Sequence, residues 1–262
     1  MISLYPDSGP VNPVVDVTAE RRHHADGRPW VYSNMVASID GATALDDVSG
    51  GLSSPADRLQ FVALRSVADA IIVGGSTVRS ERYRPPQLTE EIRAARLKRG
   101  QSELPLLVVV SSSLSFDHDI PLFADDNYRP LVATSRSAPT GGLKALEHQA
   151  DVLVSGNDQV DLKELATQLG VHGNKTILSE GGPTLNGLLI EDNLIDEWNL
   201  SISPLLLGGT STRPAIGPTV VTAPTEMTLV RLWQGDDMLF GRWIRNDGVH
   251  ESTDRSSGST IS

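Results

Sequence analysis

Several apolar segments of the chain end in polar or glycine residues, and these positions are candidates for ligand-binding and catalytic residues. The first of these segments runs into Ser38-Ile39-Asp40-Gly41. Because open α/β sheets bind ligands beyond the carboxyl ends of their strands, Asp40 is a candidate acceptor for a substrate N–H or hydroxyl. The same carboxylate is equally suited to an Asx turn that stabilises Gly41. The segment alone leaves both interpretations open.

Two further apolar segments end in glycine pairs. One leads into Gly74-Gly75-Ser76-Thr77-Val78-Arg79, and the other into Glu180-Gly181-Gly182-Pro183-Thr184-Leu185. Glycines let the backbone approach a bulky anion, a following helix offers free N–H groups, and Arg79 adds a charge-assisted contact to phosphate. The two turns together predict a dinucleotide site, although neither has the GxGxxG pattern. Since Glu180 would repel a phosphate, it is predicted to face a substrate donor or, alternatively, to be a surface or capping residue.

Hydroxyl-bearing loops follow two more apolar segments, at Ser111-Ser112 and at Ser135-Arg136. Hydroxyls together with an arginine suit the 2′-phosphate of a ribose. These loops therefore favour NADPH over NADH as the cofactor. Either loop is also compatible with an ordinary polar connection.

The composition excludes several classes of function. The 262 residues are 39% apolar with a formal charge of −11, which disfavours a nucleic-acid partner because a polyanion would be repelled. The six histidines show no HxH or HExxH spacing and cysteine is absent, so no metal site is expected. No segment approaches the roughly 20 apolar residues of a membrane span, and the N-terminus lacks the apolar core of a signal peptide. A cytoplasmic protein acting on a small molecule is expected.

The chain divides into three regions: a partly ordered arm at residues 1–29, a folded body at 30–246 and a disordered polar tail at 247–262. Within the body, apolar strand-like runs alternate with helical stretches, which predicts an α/β fold with a mainly parallel sheet and helices on both faces. The predicted strands are residues 30–38, 70–74, 106–111, 129–133, 151–154, 175–178, 197–203, 225–233 and 238–245. The predicted helices are residues 54–67, 162–169 and 183–191. The last two strands have no helix between them and are predicted to form an antiparallel hairpin.

Taken in order, these motifs resemble the reductase domain of the riboflavin-biosynthesis deaminase–reductases, over about residues 30–245. Segments 37–41, 68–79 and 177–185 carry the resemblance, followed by Leu194-Ile195-Asp196-Glu197 and by segment 203–209. It implies a three-layer fold similar to that of dihydrofolate reductase, and NADPH as hydride donor. It further implies reduction of a ribosylamino to a ribitylamino group, as in 5-amino-6-ribosylaminouracil 5′-phosphate. Without the cysteines of a zinc deaminase, the chain is expected to be a stand-alone reductase.

The resemblance also assigns roles to residues. Asp40, Glu180 and Asp57 are expected to act on the substrate. The expected cofactor-binding residues are Ala37, Gly74, Gly75, Ser76, Thr77, Val78, Arg79, Ser111, Ser112, Ser135, Arg136, Gly181, Gly182, Pro183, Thr184 and Leu185. The expected substrate-binding residues are Asn34, Ser53, Ser54, Asp57, Arg58, Arg82 and Arg84. The family's usual Asp-Asp-Pro-x-Leu-Thr segment is replaced here by residues 81–89, where Arg82 or Arg84 would hold a phosphate.

Alternatives stay open at this stage. Pro55-Ala56-Asp57 resembles the helix start of dihydrofolate reductases, where the aspartate anchors a pterin; Asp57 is otherwise an ordinary first-turn acid favoured by the helix dipole. A non-catalytic NADPH-binding protein is a further alternative. The family resemblance suggests a homodimer, for which the apolar run at residues 200–207 and the terminal hairpin would provide the surface.

Overall fold

The computed structural model describes residues 1–117, 119–217 and 223–246. In these residues, the chain forms one eleven-stranded β-sheet. The predicted tail at 247–262 lies outside the described residues. The strands are β1 (Ile2–Tyr5), β2 (Gly9–Pro10), β3 (Trp30–Ser38), β4 (Ala70–Gly74), β5 (Leu106–Val110), β6 (Leu131–Thr134), β7 (Asp151–Val154), β8 (Thr176–Ser179), β9 (Glu197–Ser203), β10 (Met227–Gly235) and β11 (Met238–Arg245). The helices are α1 (Pro13–Ala19), α2 (Pro55–Val67), α3 (Gly75–Ser80), α4 (Glu90–Lys98), α5 (Thr140–Leu146), α6 (Leu162–Val171) and α7 (Pro183–Glu191).

The larger part of the sheet is parallel. Its strands run in the order β9-β3-β8-β4-β5-β6-β7, and each pairs in parallel with its neighbour. The late strand β8 therefore lies between the early strands β3 and β4. Because the carboxyl ends of parallel strands meet at one edge, the glycine turns after β4 and β8 become neighbours there.

The remaining strands are antiparallel. β11 pairs with β9, β10 with β11, and β1 with β10. The predicted hairpin joins β10 to β11, and Asp236 and Asp237 form its turn with left-handed φ angles of 51° and 59°. Aspartate tolerates this conformation better than most residues, which explains its presence there.

Alternating side chains divide the core into two layers, one on each face of the sheet. On β4, Ile71 and Val73 join the core beneath α2, where Leu64 packs. Ile72 instead joins the core beneath α6 and α7, with Leu165 and Leu189. Burial on both faces explains the continuously apolar sequence of β4. The predicted α/β sandwich, with helices on both faces and a terminal hairpin, is confirmed.

Residues 1–29, for which the sequence suggested a partly ordered arm, contribute two strands and a helix. β1 extends the sheet along β10, Val17 of α1 is fully buried in the core, and Arg22 makes a buried bidentate ion pair with Glu197 at 3.0 and 2.8 Å. The polar, proline-broken sequence hides these contacts because the partners lie in β9 and β10. In the described ranges, no helix is both long and apolar enough to cross a membrane.

Candidate active site

The two glycine turns pack against each other at the carboxyl edge of the sheet. The amide of Gly74 donates to the carbonyl of Gly181 at 2.7 Å. A Cβ added to Gly182 would lie 2.6 Å from Thr77 Oγ1, and one added to Gly75 would lie 3.0 Å from Ser111 Cβ. We call Gly74, Gly75, Gly181 and Gly182 the glycine floor. The sequence patterns predicted each turn, and the sheet order joins them into one surface.

Helix α7 rises directly from the glycine floor. It begins at Pro183, as predicted, and its N-cap, Gly182, makes no side-chain capping hydrogen bond. The first amides of a helix lack partners within the helix, so an uncapped start suits an anionic group. Thr184 is exposed in this first turn, whereas Leu185 is buried in the core. Of the two side chains, only that of Thr184 is placed to meet a ligand.

The first glycine turn leads into the short helix α3. Ser76 and Arg79 are exposed, and the Arg79 guanidinium donates to the Ser115 carbonyl at 3.0 Å. Val78, in contrast, is fully buried in the core. Its predicted contact with a cofactor is therefore limited to its backbone.

The serine loops lie at the same edge, beyond β5 and β6. Ser111 and Ser135 are both buried, and their hydroxyls serve their own loops. Ser111 Oγ accepts from the Leu114 amide at 3.1 Å, and Ser135 Oγ donates to the Asp158 carbonyl at 3.3 Å. Ser112 and Arg136 are exposed. The latter two are thus better placed than Ser111 and Ser135 to meet a phosphate.

Glu180 directly follows β8 beside the glycine floor, and its carboxylate is held by two other parts of the chain. Arg65 Nε donates to Oε1 at 2.6 Å, and Arg65 Nη2 donates to Oε2 at 2.7 Å. The hydroxyl of Tyr83 also donates to Oε2, at 2.6 Å. Only 2% of the Glu180 side chain is exposed, so these donors rather than water determine its orientation. Glu180 is neither an ordinary surface residue nor a helix cap.

Arg65 and Tyr83 are the functional candidates that sequence reasoning missed. Arg65 lies in the last turn of α2, with its guanidinium 4.0 Å from the centroid of the Phe61 ring. Tyr83 lies in the segment at residues 81–89, where only Arg82 and Arg84 were expected to bind the substrate. A buried glutamate is almost always paired, so the need for a partner was foreseeable. The identity of the partner was not, because Arg65 is 115 positions away.

Asp40 is exposed, and its contacts are within the protein. It accepts from Ser38 Oγ at 2.5 Å and from the amides of Leu207 and Gly208 at 3.2 and 2.6 Å. The Ser38 hydroxyl, followed by the Gly208 and Leu207 amides, lowers the pKa of Asp40 to about 2. Its carboxylate ties the end of β3 to the loop after β9. A direct contact between Asp40 and substrate stays a prediction.

The start of α2 gathers three of the predicted substrate residues. Ser54 caps the helix, its Oγ accepting from the Asp57 amide at 3.2 Å, and Ser53 Oγ donates to Asp57 Oδ2 at 2.7 Å. Asp236 of the terminal hairpin accepts from the Ala56 amide at 2.8 Å. The buried Asp57 is therefore held in place by its own helix start and by the hairpin.

The remaining predicted substrate residues differ in position. Asn34 on β3 is half-buried, and its Oδ1 is shielded from solvent and has no hydrogen-bond partner within the described part of the chain. Arg58, Arg82 and Arg84 are exposed, and Arg82 pairs with Asp119 at 2.9 Å. Across the described residues, no group of three or more His, Asp or Glu side chains is arranged to hold a metal ion.

Ala37, which was predicted to bind the cofactor, is buried on β3, one residue before Ser38.

The β3–β8 register pairs Ser33 with Ser179. Asn34 and Glu180 come next along these neighbouring parallel strands, and therefore lie on the same side of the sheet. Asn34 and Glu180 provide oxygen acceptors near the glycine floor.

Comparisons with known proteins identify the family of this chain. A family model described as the RibD C-terminal domain matches residues 29–240. The 2,5-diamino-6-ribosylamino-4(3H)-pyrimidinone 5′-phosphate reductase of Archaeoglobus fulgidus is 36% identical over 186 residues, which cover 70% of this chain and 83% of that protein. The protein of the same name from Methanothermobacter thermautotrophicus is 31% identical over 189 residues, covering 72% of this chain and 84% of that protein.

Among solved structures, a pyrimidine reductase-like protein from Corynebacterium diphtheriae is similar to this chain. It is 27% identical with a TM-score of 0.81, and the match covers 90% of this chain and 99% of that one. The predicted family resemblance is confirmed. The chain belongs to the RibD C-terminal domain family of reductases.

Proposed function

We propose that this protein is an NADPH-dependent reductase that converts the ribosylamino group of a phosphorylated aminopyrimidine into a ribitylamino group. The archaeal relatives, which carry the name of this activity, support the reaction and the substrate class. The observation that carries the proposal is the glycine floor, where the turns after β4 and β8 meet beside the buried carboxylate of Glu180. The glycine floor would hold the cofactor, and the oxygen acceptors of Asn34 and Glu180 would hold the substrate.

The glycine floor fits a dinucleotide. Side chains are excluded from Gly75 and Gly182 by protein contacts within 3.0 Å, so the two turns pack closely together, and the uncapped start of α7 beside them supplies N–H donors. Ser112 and Arg136 are exposed at the neighbouring loops and suit a ribose 2′-phosphate, which favours NADPH over NADH. When bound, the nicotinamide supplies the hydride that reduces the sugar carbon.

The chain's own residues bind and orient the substrate. An aminopyrimidine with an opened sugar presents many N–H and O–H donors. Asn34 Oδ1 lacks a partner, and Asp57 Oδ1 and Glu180 Oε1 have spare lone pairs, so these oxygens match those donors. Leaving such buried acceptors without a ligand donor is unfavourable, which gives selectivity for substrates rich in donors.

The substrate phosphate requires a cation. Arg82 already pairs with Asp119, which leaves Arg58 and Arg84, both exposed, as the better candidates. Besides its predicted contact with the substrate, the Asp40 carboxylate holds the loop at Leu207 and Gly208 against the end of β3. That loop borders the same edge of the sheet.

The test follows NADPH absorbance with purified protein and three separate substrates. These are the diaminopyrimidinone of the archaeal relatives, 5-amino-6-ribosylaminouracil 5′-phosphate and dihydrofolate. Oxidation of NADPH is expected with one of the two aminopyrimidines, together with formation of the ribitylamino product. Reduction of dihydrofolate alone would replace this proposal with a pterin reductase that uses Asp57. NADPH binding without turnover of any substrate would leave only a cofactor-binding protein.

The proposal includes a homodimer. The predicted run at residues 200–207 is not a continuous surface, because β9 lies between β3 and β11 and its odd-numbered residues are buried. The opposite face of the antiparallel strands is apolar and only half-buried, and its members are Trp198, Leu200, Ile202, Leu239 and Trp243. A second copy would cover it. Light scattering that gave a mass near 28.1 kDa would contradict the dimer.

The absence of cysteine fits the reducing cytoplasm, which we propose as the location of this protein.

A further inference from the structure

Tyr83 has a fixed place in the segment that departs most from the family pattern. Its amide donates to the Val78 carbonyl at 3.1 Å, and its carbonyl accepts from the Leu122 amide at 2.9 Å. The flanking Arg82 and Arg84 are exposed, whereas the ring of Tyr83 packs against the core beneath α2. The backbone contacts thus direct the phenol inward to Glu180.

The phenol is a neutral donor. Burial raises the pKa of Tyr83 well above its usual range, and the adjacent Glu180 carboxylate raises it further. At physiological pH the hydroxyl keeps its proton, which it donates to Glu180 Oε2 at 2.6 Å. Hydrogen bonds to an ionised acceptor are short and strong, so this contact constrains the carboxylate.

The donors on Glu180 are unevenly distributed. Oε2 accepts from both Arg65 Nη2 and Tyr83, whereas Oε1 accepts only from Arg65 Nε among the residues that the structure describes. Each carboxylate oxygen offers about two acceptor positions. One position on Oε1 is therefore left for a ligand. Without Tyr83, each oxygen would accept one hydrogen bond from Arg65, and the acceptor position on Oε2 that the phenol now fills would be open to a competing donor.

We propose that Tyr83 is a positioning residue that acts through Glu180, by occupying Oε2 so that Oε1 receives the substrate's donor. The inference rests on the proposed reductase function and deepens it. Arg65 supplies the charge that keeps Glu180 ionised, and Tyr83 selects the oxygen that binds. A residue in the segment at 81–89 thereby contributes to the site without contacting the substrate.

The test compares Tyr83→Phe with Tyr128→Phe. Tyr128 is a matched control, since it is half-buried like Tyr83 and its hydroxyl accepts from the Leu107 amide at 2.7 Å and donates to the Pro105 carbonyl at 2.9 Å, away from the site. Tyr83→Phe is expected to lower kcat about tenfold while KM for NADPH stays within about twofold. Tyr128→Phe is expected to lower thermal stability and leave kcat unchanged. Equal kcat values for Tyr83→Phe and the wild type would overturn the positioning role and leave the reductase function intact.

A second measurement does not depend on turnover. In protein with ¹³C-labelled tyrosine, the Tyr83 ring signal, assigned by its loss in Tyr83→Phe, is expected to titrate well above pH 10 and to shift to lower pH in Glu180→Gln. An unchanged titration in Glu180→Gln would refute the contact. If the wild type reduced neither aminopyrimidine, the proposed function would fail and this titration alone would decide whether Tyr83 and Glu180 are coupled.

Discussion

The Gly74 amide donates a 2.7 Å hydrogen bond to the Gly181 carbonyl, and this bond joins two turns that are more than 100 positions apart in the chain. It places the backbone of both turns on one surface beside Glu180. The site therefore depends on the neighbouring positions of β4 and β8 in the sheet.

Replacing Gly182 with alanine is expected to damage the cofactor site. The new Cβ would lie 2.6 Å from Thr77 Oγ1, so either the Thr77 side chain or one of the two turns must move. We expect the Kd for NADPH, measured by fluorescence titration, to rise about tenfold or more. Gly141→Ala is the control, because a Cβ there meets nothing within 4 Å and alanine favours the helix. Equal affinity for NADPH in Gly182→Ala and the wild type would contradict a role for the glycine floor in cofactor binding.

Asp40 is expected to stabilise the folded protein in a way that depends on pH. Its pKa of about 2 lies below the ordinary value of 3.8, so the folded state favours the charged carboxylate. The contribution is fully present above the ordinary pKa and is lost as the pH falls from about 4 to about 2. The difference in Tm between the wild type and Asp40→Asn should therefore be largest near neutral pH and shrink through this interval. A difference that stayed constant down to pH 2 would argue against it. Asp126→Asn, at an exposed position, serves as the control.

Glu197 is expected to be essential for stability. It is completely buried and accepts hydrogen bonds from Arg22, Arg242 and the Trp30 indole. Glu197→Gln would leave the buried guanidinium groups of Arg22 and Arg242 with Glu20 as their remaining carboxylate partner, and we expect it to lower the free energy of unfolding by about 3–5 kcal/mol. Urea denaturation measures this change. The stability of the exposed Glu147→Gln variant should lie close to that of the wild type. A small loss for Glu197→Gln would contradict the expectation and mean that Glu20 is a sufficient counter-charge for the buried arginines.

Arg96 is expected to stabilise the end of α2 that carries Arg65. It is fully buried, and its Nη1 donates to the carbonyls of Arg65, Ser66 and Ala68 at 3.3, 3.0 and 2.7 Å. Arg96→Met would remove the side-chain donor to the Ala68 carbonyl and leave the Ser66 and Arg65 carbonyls only their bonds from Arg99 and the Ala68 amide, which we expect to lower the free energy of unfolding by about 2–3 kcal/mol. Chemical denaturation of this variant, alongside Lys98→Met at the exposed end of α4, tests the expectation. Similar stability in the two variants would show that other donors satisfy the carbonyls at the end of α2.

Local patterns determined many elements of the fold. The strands β4 and β9 have the predicted bounds, because continuous or alternating apolar runs report burial within a few residues. Ser54 and Pro55 likewise marked the start of α2, since a cap and an N1 proline act on the adjacent turn. In contrast, β1 and α1 were missed, because their stabilising partners lie far away in the chain.

The sequence by itself thus determined the fold class, the two glycine turns and the family, since each depends on contiguous residues. Only the tertiary structure decided that β8 lies between β3 and β4, that Asp40 binds the loop at Leu207 and Gly208, and that Glu180 pairs with Arg65 and Tyr83. Such pairings join residues 97 to 168 positions apart. They depend on which strands become neighbours, and no local propensity records that order.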